Sequence, residues 1–366
     1  MPVDTYKPKE RFQGMKVKKW NLFDFPDNIY ILIKKEYKEE FFESMYKKFG
    51  SQSNYARFLN INRTCVQGYY YARYWHKGKR CIKYLPLWVI KKSLPFLSKT
   101  MKTKIEKNIV SIRGKGGNRI NEPILPLQES PAFYRIIAHL IGDGNDSHTP
   151  YYANTCKHLR EQFKKDLQIF GKIEFYETRS TQNPTVFCVN FTKTVTHILK
   201  HILDIRFTHP DKLPYSIFTA SEECKKALLQ AIFDDEGTVS TSLAIGMKEK
   251  RLIQEIKRLC KSINIETSKI TFSKDDRYMG NYTLSVKSKS ILEFLKKIDF
   301  SHPEKHKKLK IRIKIVERNK NQRTRPLEWT RNKILKLLKE NPMDTMDLCK
   351  HLLLTVGVIY HHLNYL

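Results

Sequence analysis

Leu229-Gln230-Ala231-Ile232-Phe233-Asp234-Asp235-Glu236-Gly237 is an apolar helical run that ends in an acid and a glycine. Ile136-Ile137-Ala138-His139-Leu140-Ile141-Gly142-Asp143-Gly144 ends the same way. A helix C-terminus disfavours negative charge, so a carboxylate at this tip in both stretches asks for a compensating cation. The two acids, Asp143 and Glu236, stand 93 positions apart. That offset also relates Phe207-Thr208-His209-Pro210-Asp211-Lys212 to Phe300-Ser301-His302-Pro303-Glu304-Lys305 and, more weakly, Lys157-His158-Leu159 to Lys250-Arg251-Leu252. Separated correspondences at one spacing mark an internal duplication over residues 127–320, with repeats at about 127–218 and 219–320.

Each repeat reads as a helix, a strand, an amphipathic helix, a β-hairpin and a short helix. Ser130 suits an N-cap and Pro131 a first helical residue. The strands fall near 151–155 and 242–247, and the hairpins near 172–192 and 269–287. Ala138 and Gly142 lie four apart, on one helix face, where small side chains let a second helix approach. Ala231 repeats the first of these, but Asp235 stands in the place of Gly142, so the match is imperfect there.

Residues 1–100 are expected to form a helical helix-turn-helix domain. Within 52–69, Ala56 is small where two helices cross and Asn60 suits a turn with positive φ. Arg63, Thr64 and Gln67 then face outward as major-groove readers would. Residues 101–126 read as a basic linker, with Arg113 and Lys115 able to lie along phosphates. Residues 321–366 repeat the three-helix layout, either as a second DNA-reading module or as a packing or dimerisation module.

Lysine and arginine number 68 against 37 aspartates and glutamates, a formal net charge of +31 spread through the chain. Such an excess points to a polyanionic partner, nucleic acid above all. Seven cysteines are scattered without CxxC or zinc-ligand spacing, the usage of a reduced, intracellular protein. No apolar run approaches the length of a membrane span, so the expected place is the cytoplasm, on the nucleoid.

The two nonapeptides resemble the paired motifs of single-chain LAGLIDADG homing endonucleases, in the apolar helix, the small third residue and the terminal acid-glycine. The likeness covers about half of the chain. It implies an α+β fold, a pseudo-symmetric tandem αββαββα saddle, with all-α helix-turn-helix domains at both ends. It further implies that Asp143 and Glu236 converge and hold divalent cations, Mg2+ or Mn2+, with help from the carbonyls of Gly142 and Asp235. Lys212 and Lys305 would be the basic residues near the cleavage centres. Antiparallel ribbons would read the major groove, with Lys172, Arg179 and Asn190 in the first repeat and Lys269, Thr271, Lys274, Arg277 and Lys287 in the second. The implied activity is site-specific hydrolysis of double-stranded DNA with two carboxylate-bound metals, by a chain that is monomeric in its nuclease domain. The alternatives are a non-catalytic transcriptional regulator on the same scaffold, or an RNA maturase with RNA as partner.

Overall fold

The computed structural model describes residues 17–71, 73–76, 79–82, 84–115, 118–240, 242–275, 278–321 and 327–365. The N-terminal part runs β1 (Lys19–Trp20), β2 (Tyr30–Ile33), α1 (Lys35–Phe49), α2 (Gln52–Leu59), α3 (Arg63–Tyr71), β3 (Arg73–His76), β4 (Lys79–Ile82), β5 (Leu85–Pro86), α4 (Leu87–Ser93), α5 (Lys99–Lys107), β6 (Ile109–Arg113), β7 (Ile120–Asn121) and β8 (Leu127–Gln128). The helix-turn-helix falls where the sequence places it. Ser51 caps α2 by accepting from the Asn54 amide at 3.1 Å, Asn60 ends it at φ 61°, and Ala56 is buried at the crossing with α3.

Two expectations for this region are corrected. It is not all-α, and residues 101–126 are not a linker. They supply most of α5 and strands β6 and β7 of a five-stranded sheet whose order is β11 (Lys172–Ile173), β7, β6, β2, β5. The cause is apolar: Ile109, Ile112 and Ile120 are buried beside Ile31 and Ile33 in one continuous core, which outweighs the glycines and charges between them.

The first repeat contains α6 (Pro131–Gly142), β9 (Gly144–Asn145), β10 (Tyr151–Asn154), α7 (Lys157–Leu167), β11 (Lys172–Ile173), β12 (Tyr176–Arg179), β13 (Phe187–Asn190) and α8 (Lys193–Leu203). After a short α9 (Ser216–Thr219), the second contains α10 (Glu222–Glu236), β14 (Gly237–Val239), β15 (Leu243–Met247), α11 (Lys250–Ser262), β16 (Thr271–Asp275), β17 (Tyr278–Ser285) and α12 (Ile291–Lys297). Antiparallel sheets β12-β13-β10-β9 and β14-β15-β17-β16 share one topology. Strands β9 and β14, too short to show a period in the sequence, complete the αββαββα pattern in both copies.

Pleating fixes which face is open. Tyr152 and Val189 are buried and pair in register with Glu177, so this row faces the helices. The row Tyr151, Asn190 and Tyr176 therefore lies on the opposite face. In the second sheet Ile245 and Leu284 are buried, which puts Gly246, Thr283 and Thr271 on the open side.

Helix α13 (Pro303–Asn321) leads to α14 (Leu327–Glu340), α15 (Thr345–Leu352) and α16 (Val356–Leu363). These three close on a small core of Ile334, Leu348, Cys349, Leu352 and Ile359, with Ile311 of α13 packed against it. Among the described residues no helix is long and apolar enough to cross a membrane.

Candidate active site

Helices α6 and α10 build the site. Ser130 caps α6 by accepting from the Phe133 amide, and Ser221 caps α10 through the Cys224 amide. Each helix then runs apolar into the core, with Ala138 and Ala231 fully buried. At the tips the approach is close. A Cβ on Gly142 would lie 3.0 Å from Asp235 Cβ and 3.1 Å from its Oδ2. Glycine also closes each motif for lack of room, because a Cβ on Gly144 or Gly237 would come within 2.4 Å of the preceding helical turn.

This crossing gathers the predicted acids, both half-buried. Burial first, then the charges of Asp235 and Glu236, push the Asp143 carboxyl up to about 7, against the pull of Lys305 and His139. Burial and Asp235 likewise raise Glu236, with Lys305 opposing. Like charges held this near in a low-dielectric site resist joint ionisation unless a cation or proton intervenes.

Asp235 was expected to offer only its backbone. Its side chain is instead enclosed, with 0 % side-chain exposure. It meets His139 Nδ1 at 2.8 Å and accepts from the Tyr152 hydroxyl at 2.7 Å. Asn154 Nδ2 donates to Asp235 at 3.3 Å and to Asp143 Oδ2 at 3.1 Å. Burial lowers the His139 pKa, but the charge and hydrogen bond of Asp235 outweigh it and raise the value. The imperfection noted at Gly142/Asp235 is therefore a filled position: the glycine leaves the space that the carboxylate occupies. The pairing of His139 with Asp235 went unread in the sequence, since they stand 96 residues apart.

The two lysines part company. Lys305 reaches the C-terminal end of α10 and donates to the carbonyls of Phe233 at 3.3 Å, Asp235 at 3.2 Å, and Asp234. An ammonium is the favoured charge at that end. Burial lowers its pKa although four carboxylates pull the other way. Lys212 instead pairs with the exposed Asp204 at 2.9 Å and is not brought to the acids. Asp234 has a fixing role: its carboxylate accepts from the amides of Ser301 at 3.2 Å and His302 at 2.9 Å.

Among the described residues no group of three or more His, Cys, Asp or Glu is arranged to hold a metal ion. Asp235 is turned to His139 and Tyr152, and its carbonyl, an expected ligand, is taken by Lys305. Gly142 is the last residue of α6. What fits a divalent cation is the Asp143–Glu236 pair, with water and phosphate oxygens filling the remaining positions, as Mg2+ commonly accepts.

The expected DNA readers divide. Arg63 and Thr64 are exposed on α3, and Gln67 is held by Gln52 at 3.4 Å. Lys269, Thr271 and Lys274 are exposed at the edge of the second sheet, Thr271 on its open face. Lys287 pairs with Glu266 at 3.3 Å. Arg277 lies outside the described residues. Three positions are corrected. Lys172 belongs to the N-terminal sheet through β7 and pairs with Glu122. Arg179 shares the helix-side face with Glu177 and Phe187. Asn190 is 6 % exposed, its amide spent on Tyr176 O, Thr178 Oγ1 and Cys188 O. Arg113 is half-buried over the Tyr84 ring at 4.2 Å, while Lys115 is exposed. The open faces carry Tyr151, Tyr176, Thr178 and Thr283, in a register that only the burial of Tyr152 and Leu284 sets.

Fold and site thus define a tandem saddle with two motif helices crossing at a cluster of acids. Residues 223–299 match the LAGLIDADG-like domain, and residues 329–366 match the helix-turn-helix family described as bacterial regulatory protein, arsR family. The chain carries a LAGLIDADG-like domain flanked by a helix-turn-helix. No curated protein matches it. Among solved structures it is similar to I-DmoI in complex with DNA and Mn, at 14 % identity and TM-score 0.35, over 46 % of this chain and 96 % of that one. Full-length DUF199/WhiA from Thermatoga maritima is similar at 13 % identity and TM-score 0.36, over 64 % and 89 %. Both scores are low, so the assignment rests on the family matches, the duplication and the site geometry.

Proposed function

We propose that the chain binds duplex DNA and cuts it at the α6–α10 crossing, as a site-specific, metal-dependent endonuclease of homing type. The carrying observation is the half-buried Asp143–Glu236 pair, one acid from each motif. These two carboxylates would hold Mg2+ or Mn2+, which when bound supplies Lewis-acid stabilisation and an activated water for phosphodiester hydrolysis. The chain's own residues prepare that place. Asn154 fixes one oxygen of Asp143, Asp235 holds Asn154, and Lys305 offsets the clustered charge. Duplex DNA would lie on the open faces of the two sheets, with α3 and its Arg63 and Thr64 gripping beyond them.

Two observations favour a second reading, a regulator that binds without cutting. Lys305 already supplies a half-buried ammonium beside the acids, and the C-terminal module matches a regulatory helix-turn-helix family. Selection of cleaved sites from a randomised duplex library with Mg2+ separates the readings. The wild type should yield a defined site and Asp143→Asn none, with the variant still bound to the selected DNA. Tight duplex binding by the wild type with no cleavage in Mg2+ or Mn2+ would establish the regulator instead.

A further inference from the structure

A cavity of about 520 Å³ opens between the N-terminal sheet and the first repeat. One wall is Gly114, Lys115 and Asn118, a second is the β9–β10 turn with His148, and the floor is the start of α8 with Lys193 and His197. Tyr176, 49 % exposed, stands at the rim. The walls are tied together. Gly114 N donates to Thr194 Oγ1 at 2.8 Å, the Thr192 hydroxyl donates to Asn118 O, and Phe191 N donates to Pro150 O at 3.2 Å. The cavity is therefore built into the fold rather than opened by one loose loop.

Its chemistry is one-sided. Two lysines and two histidines line it, and among the described residues no carboxylate does. Two lysines of the first repeat have acid partners, Lys200 with Asp146 and Lys164 with Glu177. Burial, then the positive charges of His201, Lys200 and Lys193, hold the His197 pKa low. An anion would be drawn there. The aromatic rim adds a second preference, because an exposed tyrosine beside cationic groups offers a base a surface to stack on.

We propose that this cavity binds a nucleotide unit, its phosphate on Lys115, Lys193 and His148 and its base against Tyr176. Where that unit is part of a DNA strand leaving the open sheet face, the site rests on the DNA-binding reading above. A free nucleoside phosphate would satisfy the same groups.

Calorimetric titration of the full chain tests this with three probes: dAMP, inorganic phosphate and a short 5′-phosphorylated single strand. Lys115→Ala combined with Lys193→Ala should weaken nucleotide binding about tenfold or more, given two phosphate contacts. The exposed pair Lys296→Ala with Lys307→Ala, remote from the cavity, should change it far less. Tyr176→Ala should weaken dAMP or the strand about fivefold or more while leaving phosphate unaffected. Binding of dAMP alone identifies a free nucleotide as occupant, and binding of the strand without dAMP identifies a DNA end. Absence of both, or equal losses in the cavity and control pairs, overturns the site. Duplex binding that persists beside such a result leaves the proposed function standing, so the two failures are distinct.

Discussion

In the first repeat the return loop Phe207–Lys212 is held by Asp146, which binds Thr208 from just beyond the motif. In the second the equivalent loop is held by Asp234, inside the motif, through the amides of Ser301 and His302. That shift in the anchoring acid accompanies the different fates of the two lysines. Anchored at Asp234, the second loop delivers Lys305 to the carbonyl end of α10. Anchored at Asp146, the first loop leaves Lys212 on the surface with Asp204. Duplication preserves topology, while the anchoring carboxylate, on the helix in one copy and beyond it in the other, accompanies which copy feeds a cation into the shared centre.

The sharpest way to break this contrast is to remove each lysine in turn. Lys305→Met strands four acids and uncaps α10, and should cost about 3 kcal/mol, the scale for losing one partner of a buried charge cluster. Lys212→Met, at a pair that includes a fully exposed acid, should leave the denaturation midpoint unchanged. Equal losses in urea unfolding would erase the distinction between the repeats.

Next in size is the Gly142/Asp235 contact. Gly142→Ala drives a methyl against Asp235 and should destabilise by roughly 1–3 kcal/mol. Asp235→Ala leaves His139 and Tyr152 without their acceptor, a cost of similar size. Combined, the two should cost less than their sum, because the small side chain at 235 relieves the clash. Strict additivity in the double-mutant cycle would mean that the helices do not touch as described.

Stability should also depend on pH in a way set by this cluster. Asp143 titrates near 7 when folded, against an ordinary 3.8. Between those values the folded chain keeps a proton that the unfolded chain has released, so stability falls as pH rises from about 4 to about 7 and levels off above. Asp234, pushed up to about 7 mainly by burial, adds to the fall. Asp143→Asn should flatten part of it and raise the melting temperature at pH 8. A variant curve parallel to the wild type would show that Asp143 titrates normally. The smallest effect is expected at the N-terminal module, where Arg63→Ala should weaken duplex binding and reduce its salt slope by about one unit. An unchanged slope would place α3 off the DNA.

Much of this was legible before any coordinates. The 93-residue offset exposed the repeats, and apolar periodicity with Ser130 and Pro131 placed α6. Asn60 marked the turn in the first helix-turn-helix. Convergence of Asp143 and Glu236 was implied by the resemblance to the paired LAGLIDADG motifs. What escaped was non-local. The five-stranded sheet uses strands as short as two residues, and its edge comes from Lys172–Ile173, a segment read as part of the saddle. The pairing of Asp235 with His139 depends on how two distant helices rotate against each other, which periodicity does not report. Lys212 and Lys305 looked equivalent because the anchoring acids lie at positions that the offset does not align.

The central claim is that Asp143 and Glu236 share one divalent cation while Lys305 remains on the α10 carbonyls. Anomalous diffraction from crystals of the chain with its selected DNA, grown in Mn2+, tests it most directly. The account predicts one strong peak bounded by carboxylate oxygens of both residues, with the Lys305 ammonium still at the end of α10. A centre without manganese, in which Lys305 itself bridges the two carboxylates, would contradict it.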